Sequence, residues 1–423
     1  MTHHVTPHNH PSAASPQPTA TFYGLGIAPK ILDILERIKF TIPTPIQTKA
    51  IPLAIQGQDI VGIAQTGTGK THAFAIPMVQ HLAQGKGKGL VLAPTRELAI
   101  QIDEAFKPLA QAFGMYTACL IGGAPMESQI AALHKKPRVI IATPGRLIDH
   151  IWRGKVLTDD VVMLVLDEAD RMLDMGFAPQ IEQILRFLPR ERQTMLFSAT
   201  IPKEIMIIAT QHMKLPISVE VAPSGTTAER VTQELFIVRR EAKLKLLHSV
   251  LAHYHGSVLL FSRTKHGATK IARSIRDMRH SAAEIHSDRT LGQRRQALEG
   301  FKTGKYRILV ATDIAARGID VTGIELVINY DLPDDAQNYV HRIGRTGRAG
   351  CKGHAISFAT PEQSDEVRAI ENVIRANLPI SRNPGSAPEQ FSEVPRVHPA
   401  RRFSSHNRNP RQNFHRRPGS SSH

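Results

Sequence analysis

The chain has 423 residues, 41% hydrophobic and 21% charged, a length that suits two domains plus tails. Two cysteines, Cys119 and Cys351, exclude a disulfide framework and fit a reducing cytoplasm. No apolar run reaches the roughly 18 residues of a membrane span, and the first residues lack the basic start and apolar centre of a signal peptide.

A formal charge of +16 points to a polyanionic partner, nucleic acid ahead of an anionic membrane. Residues 382–423 hold eight Arg, no Lys and two acidic residues, Glu389 and Glu393, a net +6; the remaining chain therefore carries +10. The body is basic as well as the tail.

Residues 1–20 are rich in Pro, Ser, Thr and His, carry no Lys, Arg, Asp or Glu, and read as a disordered leader. Over residues 21–221, short β-rich runs alternate with helical patterns. Strands are predicted at Ile60–Ala64, Leu90–Ala93, Val139–Ala142, Val161–Leu166 and Thr194–Ser198, with helices such as Glu97–Ala112 and Ala178–Leu188 between them. Residues 222–230, opening Ala222-Pro-Ser-Gly-Thr-Thr227, break the pattern and read as a linker. Alternation resumes over residues 231–381, with strands at Ser257–Phe261, Ile308–Ala311 and Leu326–Asn329 and helices at Lys265–Met278 and Gly292–Lys302. Such repetition predicts α/β architecture, with parallel sheets covered by helices on both faces. Residues 382–423 read as a disordered, Arg-rich tail suited to binding a polyanion.

Ala64-Gln65-Thr66-Gly67-Thr68-Gly69-Lys70-Thr71 follows an apolar run and precedes a helical segment, the context of a phosphate loop. Glycines let backbone N–H groups curl around phosphates, Lys70 reaches the β- and γ-phosphates, and Thr71 holds Mg²⁺. Ala64 stands where the general pattern has its first Gly. In the second half, Gly304-Lys305-Tyr306 lacks the hydroxyl residue after the lysine, so one nucleotide site is expected. Val161–Leu166 ends in Asp167 and Glu168, at the strand end where open α/β sheets bind ligands. Asp167 suits the Mg²⁺ shell, and Glu168 suits orientation and deprotonation of an attacking water. Gln47 offers a donor and an acceptor that match an adenine edge, with Phe40 to stack on the base, although this segment reads as easily as a proline-rich loop.

Asp167-Glu168-Ala169-Asp170, with the Ala64–Thr71 loop, resembles the DEAD-box helicases. Other motifs of that family follow in its order: Pro94-Thr-Arg-Glu-Leu-Ala99, Gly122-Gly123, Thr143-Pro-Gly-Arg146, Ser198-Ala-Thr200, Thr312-Asp313 through Arg317-Gly-Ile-Asp320, and His341-Arg-Ile-Gly-Arg-Thr-Gly-Arg348. The likeness spans about Phe22 to Phe358. The short core with a basic tail is most similar to the bacterial RhlE-type branch.

The resemblance implies two tandem RecA-like domains around an ATP cleft and RNA-dependent hydrolysis of ATP. Arg345 and Arg348 would reach the γ-phosphate from the second domain as arginine fingers. Gly318 and Asp320 would line the closed site, and Asp170, Ser198 and Thr200 would couple it to RNA. On the RNA side it implies Pro94, Thr95, Arg96, Gly123, Thr143, Gly145 and Arg146 from the first domain. Arg263, Arg294 and Thr312 would come from the second. Thr143 also reads as a helix N-cap before Pro144, a ready phosphate clamp. Backbone contacts would give little base specificity, and the 2′-OH would favour RNA over DNA. Unwinding is expected to be local and non-processive, with ribosome-assembly or RNA-decay factors among possible partners.

The chain departs from the family pattern at Lys39, where Gly is usual, at Ser287 within His-Gly-Asp, and at Leu291, where Gln is common. In the tail, Phe391, Phe403 and Phe414 are candidates to stack on bases. Two other classes fit parts of the sequence: an RNA clamp that hardly turns over, against which Lys70, Asp167, Glu168, Arg345 and Arg348 argue, and a DNA translocase, against which Asp170 and the Gln47 segment argue.

Overall fold

A computed structural model describes residues 21–65, 67–221, 231–316, 324–347, 353–382 and 391. The leader, the linker and nearly all of the tail lie outside the described residues, as do Thr66, Gly318, Asp320 and Arg348.

The first sheet has seven strands: β1 (Ile60–Ile63), β2 (Lys88–Leu92), β3 (Thr117–Leu120), β4 (Val139–Ala142), β5 (Val161–Leu166), β6 (Gln193–Ser198) and β7 (Ile217–Glu220). Their order is β3-β4-β2-β5-β6-β1-β7, and every pairing is parallel. The second sheet holds β8 (Val231–Ile237), β9 (Val258–Phe261), β10 (Ala282–Ile285), β11 (Ile308–Ala311), β12 (Leu326–Asn329) and β13 (Gly353–Ala359). Its order is β10-β11-β9-β12-β13-β8, again all parallel. Two α/β domains are therefore present, as expected.

The apolar runs explain the layering. Side chains alternate across a strand, so an uninterrupted run buries both faces. On β5, Met163 and Val165 join one core cluster while Leu164 and Leu166 join the other. The second sheet splits likewise: Leu259 and Leu309 face one cluster, Leu260 and Val310 the opposite one. No helix among the described residues is long and apolar enough to cross a membrane.

The parallel pairing gathers the loops after β1, β2, β3, β4, β5 and β6 at one edge of the first sheet. Every first-domain motif residue downstream of Ala64 sits there. The second domain closes against this edge. Leu291 packs partly buried on the first domain's core, and one turn later Arg294 reaches Glu97 at 2.9 Å. Phe391 packs against the core of the second domain rather than standing free, so the base-stacking role anticipated for it is not supported.

Candidate functional site

The phosphate loop is built around glycines that no other residue could replace without strain. Gly67 and Gly69 have φ of 84° and 88°, in the left-handed region that favours glycine. A Cβ on Gly69 would lie 2.5 Å from Gln47 Nε2. Gly69 caps the helix Lys70–Gln84, placing Thr71 in its first turn with the positive end of the helix dipole toward the loop. Thr68 Oγ1 donates to Gln65 O at 2.7 Å, and Ala64 N–H donates to Ser198 O at 3.0 Å. Lys70 is buried, with Nζ donating to Ala64 O at 3.0 Å across the loop.

Gln47 is fully buried. Its Oε1 accepts from Thr44 N at 2.9 Å, completing a capping box for the helix Pro45–Ile55, and its Nε2 donates to Gly69 O at 2.8 Å. The side chain thus ties the proline-rich segment to the phosphate loop. Phe40 stacks on His72 with centroids 4.3 Å apart and touches Phe22. Phe40 is delivered by a helix terminus: Lys39 N donates to Glu36 O and Phe40 N to Leu35 O, the paired bonds of a Schellman motif. Lys39 takes the left-handed position, φ 59°, that glycine usually fills.

Asp167 and Glu168 are buried where β5 ends. Burial pushes the Asp167 carboxyl up, against the pull of Lys70. Burial also opposes ionisation of Glu168, but Arg171, Lys70 and Arg345 overcome it and hold that carboxyl below the usual carboxylate range. Arg171 Nη1 donates to Glu168 Oε2 at 2.8 Å. Asp170 Oδ2 accepts from Ala199 N, Thr200 N and Thr200 Oγ1 at 3.0, 2.9 and 3.0 Å, while Ser198 Oγ accepts from Asp170 N at 3.3 Å. One carboxylate therefore clamps the end of β6 to the helix Ala169–Asp174.

A buried carboxyl short of positive charge, facing a lysine and a loop of backbone N–H groups, fits a magnesium-bound triphosphate. The residues present suit ATP and Mg²⁺.

The second domain completes the site. Arg345 is buried and close enough to Glu168 to depress its pKa. His341, beside Arg171 and Asp170, is driven to about 4 by burial and by Arg171, so it is neutral at physiological pH. Arg342 is a scaffold: its guanidinium grips both oxygens of Asp313 at 2.6 Å, donates to Asn329 Oδ1 and Asp331 O, and lies over Phe261. Sequence reading assigned no roles to Arg171, Arg342 or His341. The signal was present, because Arg171 directly follows the carboxylates of Asp167–Asp170, and His341 and Arg342 open the motif that carries Arg345.

The residues expected to hold RNA follow the neighbouring strands of the same sheet edge. Thr95 caps the helix Arg96–Gln111, accepting from Leu98 N at 3.3 Å. Pro94 is buried, and a Cβ on Gly123, φ 75°, would collide with Arg96 Nη1. Thr143 precedes Pro144 at the N-cap position, but its hydroxyl accepts no capping bond; the proline and the backbone start that helix. Gly145 is exposed with open space where a Cβ would be. Arg146 Nη1 donates to Ala124 O at 3.0 Å.

From the second domain, Thr312 follows β11, and Arg263 is half exposed, its Nε 3.1 Å from Asp334. Arg294 is turned onto Glu97 instead of presenting its charge to RNA. Thr66, Gly318, Asp320 and Arg348 lie outside the described residues.

Comparison with known proteins decides the family. Residues 44–208 match the DEAD/DEAH box helicase model, and residues 242–350 match the helicase conserved C-terminal domain. The chain is a DEAD-box helicase. It is 42% identical over 371 residues to the ATP-dependent rRNA helicase RRP3 of Debaryomyces hansenii, covering 87% of this chain and 78% of that one. It is 43% identical over 361 residues to the DEAD-box ATP-dependent RNA helicase CshA of Geobacillus kaustophilus, covering 85% and 77%. Among solved structures, S. cerevisiae Dbp5 bound to RNA and ADP BeF3 superposes with a TM-score of 0.76 at 30% identity, covering 85% of this chain and 95% of that one. In this DEAD-box helicase the two domains meet across Glu97 and Arg294.

Proposed function

We propose that this ATP-dependent RNA helicase couples ATP hydrolysis to closure of its two domains on RNA, and that closure bends the strand and opens short duplexes locally. The observation that carries this reading is that Arg345 of the second domain lines one pocket with Arg171, the partner of Glu168 at 2.8 Å: the hydrolytic carboxylate and its arginine come from different domains, so the site is complete only when they close.

Bound ATP would supply the cleavable anhydride, and Mg²⁺ would neutralise its phosphates. Lys70, with Ala64, Gln65, Thr66, Gly67, Thr68 and Gly69, would hold the phosphates. Thr71 and Asp167 would hold the metal ion. Glu168, kept ionised by Arg171, orients the attacking water and receives its proton. Arg345 and Arg348 stabilise charge on the transferred group. Gln47 retains one N–H and one oxygen lone pair for adenine, with Phe40 beside it, and Gly318 and Asp320 would complete the pocket. Asp170, Ser198 and Thr200 transmit closure.

Pro94, Thr95, Arg96, Gly123, Thr143, Gly145 and Arg146 would hold the RNA backbone with Arg263 and Thr312. The open space at Gly145 supports this, since no packing within the protein demands a glycine there. Arg294 acts through Glu97. The Arg-rich tail tethers RNA nonspecifically. The rRNA helicase relatives favour a role in ribosome assembly, the short core and basic tail favour the RhlE-type branch, and the sparse cysteines favour the cytoplasm.

The test is steady-state ATPase with single-stranded RNA, with DNA at equal phosphate as control, and unwinding against duplex length. Stimulation by RNA, loss in Lys70→Ala and steep decline with length are expected. Equal stimulation by DNA, or efficient opening of long duplexes, overturns the reading.

A further inference from the structure

At the edge of the first sheet opposite the nucleotide site, the N-terminal ends of β2, β4 and β5 surround an open pocket of about 500 Å³. Leu133, Pro137, Ile140, Val156 and Leu157 give it an apolar wall. Leu157 is 68% exposed, a large hydrophobic side chain left in water beside a concave surface. Five cations line the same pocket against one carboxylate, Asp160.

Two of these cations are already engaged. Arg138 donates to the carbonyls of Gly87, Leu82 and Gly85, and Lys88 pairs with Asp160 at 3.0 Å. Lys86, Lys136 and Lys155 are exposed, and none forms an ion pair among the described residues. Lys136 is also held at φ 52°. Its N–H donates to Leu133 O at 3.0 Å, in the left-handed turn that ends the helix Met126–His134 and sets Lys136 at the pocket's rim.

We propose that this pocket docks a short acidic segment of a partner protein that carries an apolar anchor residue. The anchor fills the space between Leu133 and Leu157, and flanking carboxylates meet Lys86, Lys136 and Lys155. Charge complementarity selects the occupant. RNA fits less well, because no aromatic side chain lines the pocket to stack a base. The pocket also lies the length of β2, about 16 Å at roughly 3.3 Å per residue, from the loop that carries Thr95 and Arg96. The chain's own ends do not suit it: residues 1–20 carry no acidic residue, and the tail is net positive.

The test uses the full chain and a short fluorescein-labelled peptide of Asp and Glu around a central Leu-Phe pair, followed by anisotropy. Saturable binding is expected, weakened by about tenfold or more in Lys86→Glu/Lys136→Glu/Lys155→Glu, and weakened again when Leu-Phe becomes Ser-Ser. RNA-stimulated ATPase of the triple variant should stay within about twofold of the parent, since these residues lie outside the nucleotide site and are not among those expected to hold RNA. No saturable binding, or equal binding by the triple variant, overturns the proposal. Binding that ignores the Leu-Phe replacement but is displaced competitively by single-stranded RNA also overturns it, and assigns the surface to nucleic acid.

Discussion

Glu97 and Arg294 belong to different domains, yet their charged groups lie 2.9 Å apart and both are almost fully buried. The contact is one of charge and not of aligned hydrogen bonding, for neither oxygen of Glu97 has a hydrogen-bond partner. Removing one member of a buried pair costs about 3–5 kcal/mol when the survivor stays buried. Here the survivor regains water when the domains part, so the penalty falls on the closed state alone. Arg294→Ala should lower RNA-stimulated kcat by about tenfold or more and reduce the closed population seen by interdomain fluorescence transfer. Glu97→Gln/Arg294→Gln, which leaves no lone charge, should recover part of the loss. Unchanged closure in Arg294→Ala would show that the pair is incidental.

Glu168→Gln separates chemistry from binding. The amide keeps the shape of the side chain but cannot take a proton, so turnover should fall by about 10²-fold or more while nucleotide affinity remains. Retained turnover in a steady-state assay would move the proton-accepting role elsewhere.

Lys39 occupies the left-handed position of a Schellman motif, where glycine relieves steric strain but loses more chain entropy on folding. The balance favours Lys39→Gly by about 0.5–1 kcal/mol, a rise of about 1–3 °C in the first domain's thermal midpoint. ATPase should not change. A lower midpoint would mean that the lysine side chain contributes contacts exceeding the strain.

Residues 392–423 carry seven Arg and one Glu, a net +6, and begin just after the docked Phe391. Their deletion should weaken RNA binding and flatten the slope of log affinity against log salt, because fewer counterions are released. An unchanged slope would make the tail a bystander.

The central strands were legible because burial on both faces leaves an uninterrupted apolar run, as in Val161–Leu166. β3, β7, β8 and β10 are edge strands; Thr117, Glu220 and Gln233 interrupt the first three, and Glu284 interrupts β10 although it is buried, paired with Arg276 and Arg289. β13 is interior but carries His354 and Ser357, the latter hydrogen-bonded to Asn329 at 3.1 Å. The phosphate loop and both carboxylates were legible for a related reason: their chemistry demands adjacent residues. The Glu97–Arg294 pair was not, since nothing in local spacing says which carboxylate a distant guanidinium will meet. Thr143 was half legible, as its position holds but its hydroxyl does no capping.

Gln47 carries a last implication. Its amide nitrogen holds Gly69 O at 2.8 Å, the carbonyl of the peptide that precedes Lys70. A base that draws this amide toward itself tilts that peptide and re-aims the loop's N–H groups. Identity of the base would then be converted into alignment of the phosphates. A guanine nucleotide, presenting a carbonyl where adenine has an amino group, would suffer in kcat as well as KM, so discrimination would be written partly in rate.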